Sequence, residues 1–123
     1  MNKYEHIKQE AYVANRQLPA LGLVLFTFGN VSAADRSLAV FAIKPSGVPY
    51  DELSPASMVI VDFDGQKVEG DLRPSSDTLT HAVLYKRWEK IGGVAHTHSL
   101  YATAWAQAQR SIPLYGTTHA DYT

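Results

Sequence analysis

Strand-length apolar runs alternate with helix-length periodic segments along this chain, and that alternation restricts the fold to a sheet covered by helices. Tyr4, Ile7, Ala11, Ala14 and Leu18 recur at helical spacing and predict a helix over residues 3–18, ended by Pro19. Apolar, β-prone runs predict strands over 21–28, 39–43 and 58–63, with a further short strand over 31–35. Gly29-Asn30 reads as a turn, and Asp64-Gly65 as a hairpin returning through 66–69. Ser54-Pro55 suits an N-cap followed by proline at the first helical position. Leu79, Val83, Leu84 and Trp88 mark one side of a helix over 78–90, capped by Asp77 or Thr78 and closed by Gly92 or Gly93. A strand over 94–97, an alanine-rich helix over 99–109, a strand over 112–115 and a loop over 116–123 complete the reading. No linker or internal repeat interrupts it, so residues 1–123 read as one domain of class α/β.

The totals narrow the function. Net charge is −1, which gives no bulk attraction to nucleic acid or to an acidic membrane. No apolar run approaches a bilayer-spanning length, and the first residues lack the apolar core of a signal peptide. The absence of cysteine excludes disulfides and thiolate zinc sites and fits a reducing cytoplasm. The last residues stop directly after a motif-like segment, so the chain reads as incomplete at its C-terminus.

Chemistry concentrates around His96 and His98, which end a short apolar run. In a strand they share one face, with Cα atoms roughly 6.6–7 Å apart, close enough for both imidazoles to reach one ion. Asp77 offers an oxygen ligand from an upstream turn, and neutral imidazole with carboxylate suits zinc, with iron or manganese as alternatives. Metallo-β-lactamase-like, amidohydrolase and facial-triad enzymes surround such histidines differently; here Ser99-Leu100-Tyr101 follow the pair. Gly29-Asn30, Ser46-Gly47 and Ser75-Ser76 are small-polar pairs, each ordinary turn chemistry alone. Together they offer hydroxyls, an amide and backbone N–H groups to a phosphate, with Lys44 adding charge and the helix near Thr78 its N-terminus. Asp121 is a loop aspartate able to move a proton beside a bound sugar. His6, His81 and His119 read as structural or surface residues, and Trp88 and Trp105 as core or interface groups.

Five ordered segments carry a resemblance: Gly29-Asn30-Val31-Ser32, Ile43-Lys44-Pro45-Ser46-Gly47-Val48, Pro74-Ser75-Ser76-Asp77-Thr78, Ala95-His96-Thr97-His98-Ser99 and Gly116-Thr117-Thr118-His119-Ala120-Asp121-Tyr122. Together they resemble the class II aldolase/epimerase family, from about residue 3 to the last residue. The resemblance implies a three-layer α/β/α fold around a mixed, largely antiparallel sheet, here truncated. It implies that Asp77, His96 and His98 bind zinc, one Zn2+ per subunit. It implies that Gly29, Asn30, Ser46, Gly47, Ser75 and Ser76 contact a phosphorylated ketopentose, beside which Lys44 adds its charge, and that Asp121 gives or takes a proton. The family's aldolases carry glutamate where Asp77 stands, so aspartate favours its epimerases, which convert L-ribulose 5-phosphate to D-xylulose 5-phosphate by retro-aldol cleavage and re-addition. A sugar-phosphate aldolase, a non-catalytic adducin-like module and an inactive remnant are the alternatives. Family members form cyclic homotetramers with active sites at subunit boundaries. They carry a third zinc histidine and a catalytic tyrosine beyond the last residue present here.

Overall fold

The computed structural model describes residues 2–122. Its centre is a five-stranded sheet in the order β4-β3-β2-β1-β5, with β1 Asn30–Asp35, β2 Val40–Ile43, β3 Val59–Asp62, β4 Lys67–Glu69 and β5 Gly93–His96. Among the described residues every strand pairing is antiparallel, so of the expected mixed, largely antiparallel sheet only the antiparallel part is present. Helix α1 (Glu5–Ala20) covers one face, and α2 (Thr78–Arg87) covers the other. The α/β three-layer arrangement follows from strict alternation in β2 and β3. Val40, Ala42 and Ile60 point into the α1 core, while Phe41, Ile43, Val59 and Val61 point into the α2 core.

Helix α1 runs through Pro19, because a proline one residue from the end removes only one backbone hydrogen bond. Ile7, Ala11 and Leu18 are buried as expected, but Asn15 replaces Ala14 on the inward face. Its side-chain amide donates to the Ala11 and Val31 carbonyl oxygens and accepts the Val31 N–H, fastening β1 to the helix. The capped turn at Ser54-Pro55 forms as read, with Ser54 and Ser57 bonding each other reciprocally. The Asp64-Gly65 hairpin also forms, its backbone gathered by the Asp62 carboxylate.

Five expectations fail. Residues 21–28 are an irregular segment rather than a strand, because no neighbouring strand pairs with them. Gly29-Asn30 is not a turn between strands: Asn30 opens β1 and pairs with His96. Residues 112–115 form no strand, and 117–121 form a short helix, α4 (Thr117–Asp121), in place of a loop. Helix α2 turns Thr78, His81, Ala82 and Tyr85 inward, while Leu79, Val83 and Trp88 are exposed. The reason is polar. His81 and Tyr85 both bond the buried Ser32 hydroxyl, and Arg36 bonds the Tyr85, Trp88 and Ile91 carbonyl oxygens at the helix's C-terminal end. The Arg36 guanidinium also lies over the Phe63 and Tyr85 rings, so one side chain sets the helix orientation. Beyond β5, α3 (Leu100–Gln107) and the residues up to 122 contain no buried side chain.

Candidate functional site

Two loops at one end of the sheet are stitched together by backbone. Pro45 and Pro74 form an isolated antiparallel bridge, Ser46 N–H donates to the Arg73 carbonyl, and Ser75 N–H donates to the Lys44 carbonyl. The stitching brings Ser46-Gly47 beside Ser75-Ser76. Gly29 lies where the chain enters β1, at φ +76°, and a Cβ there would sit 2.8 Å from the His96 carbonyl oxygen and 2.5 Å from Val24. Only glycine permits both that conformation and that approach. Gly47 has φ +71° in open space, so its requirement is conformational alone.

A cleft of about 470 Å³ results. Its walls contain Gly29, Asn30, Lys44, Ser46, Gly47, Ser75, Ser76, Asp77, His96 and His98, so ten of the eleven residues singled out in the sequence meet here. Asp121 does not line it; it is exposed on α4. Thr27, Phe28 and Pro45 complete the wall and were missed, Thr27 and Phe28 because their segment read as a strand. The Phe28 ring lies 5.4 Å from the His98 ring, giving the histidine an aromatic backing.

Lys44 is 2% exposed, and burial pulls its pKa below the ordinary lysine value. Its ammonium touches the carbonyl oxygens of Thr27 and Pro45 at 3.3 and 3.4 Å and lies 4.8 Å from the Tyr50 ring. Among the described residues it has no carboxylate partner. Asn30 bridges the two halves of the cleft, donating through Nδ2 to Ser75 Oγ at 3.0 Å and to Asp77 Oδ2 at 2.7 Å. The carboxylate fixes the orientation of the amide, since an ionised oxygen only accepts. Both amide hydrogens are then spent, and the buried Oδ1 has no protein partner.

His96 Nδ1 lies 2.9 Å from Asp77 Oδ2, and the His96 and His98 rings are 4.8 Å apart. His98 follows the last ladder pair of β5, yet remains on the same side as His96, and its N–H donates to the Leu23 carbonyl. Burial pushes the Asp77 carboxyl upward, but hydrogen bonds from Asn30 and His96 and the charges of His96 and His81 outweigh it, leaving the carboxyl below its usual value. Asp77 stands at the N-cap of α2 without a capping hydrogen bond from its side chain, so the carboxylate is left to the cleft. The three side chains meet in pairs. Among the described residues, no group of three or more His, Asp or Glu is already gathered to hold an ion. The donor set nonetheless fits a divalent cation: two imidazoles, and a carboxylate held in its ionised form. His96 would have to exchange its Asp77 hydrogen bond for the ion, or bind it through Nε2.

Behind this pair, His81 is 1% exposed, and burial pulls its imidazole down to about 4, against which the Asp77 charge pushes upward. It is therefore neutral near pH 7. The sequence left His81 as a structural or a surface residue, and its burial removes the second of these.

The family described as "Class II Aldolase and Adducin N-terminal domain" matches residues 9–123. The L-ribulose-5-phosphate 4-epimerases UlaF of Salmonella paratyphi C (strain RKS4594) and Salmonella typhi are each 58% identical over 118 residues, covering 96% of this chain and 52% of theirs. The chain thus spans about half the length of the curated relatives it matches. An L-fuculose 1-phosphate aldolase superposes with a TM-score of 0.80 at 33% identity, over 85% of this chain and 50% of that one. The L-fuculose-1-phosphate aldolase of Thermus thermophilus superposes with a TM-score of 0.64 at 30% identity, over 80% of this chain and 52% of that one.

Proposed function

The chain belongs to the family of class II aldolase and adducin N-terminal domains, and from that premise we propose that it carries the metal- and phosphate-binding portion of an enzyme converting L-ribulose 5-phosphate to D-xylulose 5-phosphate. The carrying observation is one cleft that holds a buried, carboxylate-free lysine, three small-polar pairs and the Asp77–His96–His98 set. The 58% identity to proteins named for that reaction supports the choice of substrate.

Lys44 receives the phosphate. Its ammonium is desolvated and bonded only to carbonyl oxygens, so an anion in the cleft gives it the charge partner that the protein does not. The Ser46, Ser75 and Ser76 hydroxyls and the Gly29 and Gly47 backbone complete the anion pocket. Asn30 braces Ser75 and Asp77 and offers Oδ1 to a sugar hydroxyl.

Inverting C4 by simple deprotonation is closed, because that carbon bears no acidic hydrogen. The C3–C4 bond breaks instead, the C4 hydroxyl gives up its proton, and the fragments are the enediolate of dihydroxyacetone and glycolaldehyde phosphate. Re-addition to the other face of the aldehyde returns the proton and inverts the centre. A divalent cation such as Zn2+, held by Asp77, His96 and His98, would supply Lewis-acid stabilisation of the developing enediolate charge. The anion pocket keeps the detached aldehyde from escaping while it turns. Asp121 exchanges the proton at the C4 oxygen; being exposed on α4, it is available to the cleft of a neighbouring copy in a cyclic homotetramer. A cytoplasmic location is part of this proposal, drawn from relatives named for sugar-phosphate chemistry; among the described residues no helix is long and apolar enough to cross a membrane.

Calorimetric titration with Zn2+ and with inorganic phosphate tests the reading. Both should bind, and Lys44→Met should lose phosphate while retaining Zn2+. Failure of the unaltered chain to bind either would end the proposal. A second reading, a sugar-phosphate aldolase, draws on the 33% identity to an L-fuculose 1-phosphate aldolase. It is separated by product: free dihydroxyacetone or its phosphate accumulating from sugar phosphate marks an aldolase, and D-xylulose 5-phosphate an epimerase. A non-catalytic adducin-like module should have lost the metal-type residues, and all three are present.

A further inference from the structure

His81 takes no part in the proposed chemistry, yet it carries a buried ring nitrogen without a protein partner. Its Nδ1 lies 2.7 Å from Ser32 Oγ, which lies 2.7 Å from the Tyr85 hydroxyl. All three residues are at most 1% exposed. Nε2 is buried and has no hydrogen-bond partner.

The proton arrangement in this row can be worked out. Ser32 has one hydrogen and two neighbours. If His81 Nδ1 donated to Ser32, then either the serine or the tyrosine hydroxyl hydrogen would be left buried without an acceptor. If Tyr85 donates to Ser32 and Ser32 donates to Nδ1, both hydroxyl hydrogens are satisfied. The single unpartnered group is then Nε2–H, a donor. This leaves a neutral imidazole with its N–H free, on a ring that feels the Asp77 charge. Asp77 and His81 are one helical turn apart, and they share the wall of a second cleft of about 420 Å³ with Thr80, Val94 and His96. Asp77 uses only Oδ2 in its bonds to Asn30 and His96.

We propose that His81 is a positioning residue: the Tyr85–Ser32 row fixes its Nε2–H tautomer, and that N–H, directly or through one water, steers the Asp77 carboxylate so that it can leave His96 and serve a divalent cation. The inference rests on the metal reading of the Asp77–His96–His98 set. It adds a cause for cation affinity in a residue that is not itself a donor to the cation.

Nitrogen-15 NMR of the imidazoles in the metal-free chain should show His81 with Nε2 protonated and Nδ1 bare. Ser32→Ala should mix the two tautomers while native circular dichroism is kept. Titrated with Zn2+ alone, Ser32→Ala should bind about five- to tenfold more weakly than the unaltered chain. His81→Gln places an amide N–H near Nε2 and should restore most of the affinity that His81→Leu loses. A protonated Nδ1 in the unaltered chain overturns the proposal, as does Zn2+ affinity in folded Ser32→Ala within twofold of the original. If the unaltered chain binds no Zn2+, the metal reading fails by itself, and the tautomer measurement still decides the hydrogen-bond row.

Discussion

The two faces of the sheet are built from different materials. The α1 face holds the larger apolar cluster, from Tyr4 and Ile7 through Met58 and Ile60, with Asn15 bonded to backbone at its margin. The α2 face holds a smaller cluster around Phe41, Val59 and Tyr85, crossed by the Ser32–His81–Tyr85 row. The cleft lies at the end of this sheet, and His81, proposed above to steer Asp77, belongs to the polar face. The α1 face supplies bulk burial, and the α2 face supplies orientation, because hydrogen bonds fix direction where apolar contact does not.

Core truncation should show the largest effect on both faces. Phe41→Ala should cost about 3–5 kcal/mol and Ile60→Ala about 2–5 kcal/mol in urea unfolding. Only Phe41→Ala should also disturb the His81 resonances, since its ring stacks on His81 and packs at a tilt against Tyr85. Equal disturbance from both would erase the distinction between the faces.

Stability against pH sharpens the comparison. The His81 pKa falls from 6.5 unfolded to about 4 folded, so the unfolded chain binds more protons between those values. Stability is therefore full above 6.5 and is lost as pH falls toward 4, by roughly 3 kcal/mol at most. Tyr50, on the α1 face, is pushed by burial from 10 up to about 12, so its contribution is present below 10 and lost as pH rises toward 12. Urea midpoints measured across pH should show an acid limb flattened by His81→Gln and an alkaline limb flattened by Tyr50→Phe. Limbs that respond to the opposite variants would contradict the assignment.

Removing single polar partners comes next. Asn15→Leu should cost about 1–3 kcal/mol, because the Val31 N–H loses its acceptor on the α1 face. Arg36→Met should cost a similar amount by leaving the carbonyl oxygens at the end of α2 without their donor. Leu79→Ser, on the exposed side of α2, should change stability by no more than about 0.5 kcal/mol, although the sequence pattern marks it as core. A loss of several kcal/mol there would mean that α2 is turned the other way.

Much of the cleft was legible because its residues lie in short motifs whose backbone geometry is local. Ser75-Ser76-Asp77 precedes a helix, Ser46-Gly47 forms a turn, and His96 ends β5 with His98 two residues on, its ring beside that of His96. The hairpin at Asp64-Gly65 and the capped turn at Ser54-Pro55 were legible for the same reason. The helix faces were less so. Leu79, Val83 and Trp88 satisfy a helical period as well as His81, Ala82 and Tyr85 do, and the period cannot say which side meets the sheet.

By itself, then, the sequence determined the alternation of elements, the identity of the cleft's small and charged residues, and the pairing of two imidazoles, all from interactions within a few residues. The tertiary structure decided that residues 21–28 find no strand partner, that Lys44 is buried without a carboxylate, and that Ser32 ties His81 to Tyr85 across 49 and 53 positions. Strand pairing, desolvation and buried hydrogen bonds depend on which groups arrive from elsewhere in the chain, and a local pattern carries no record of them.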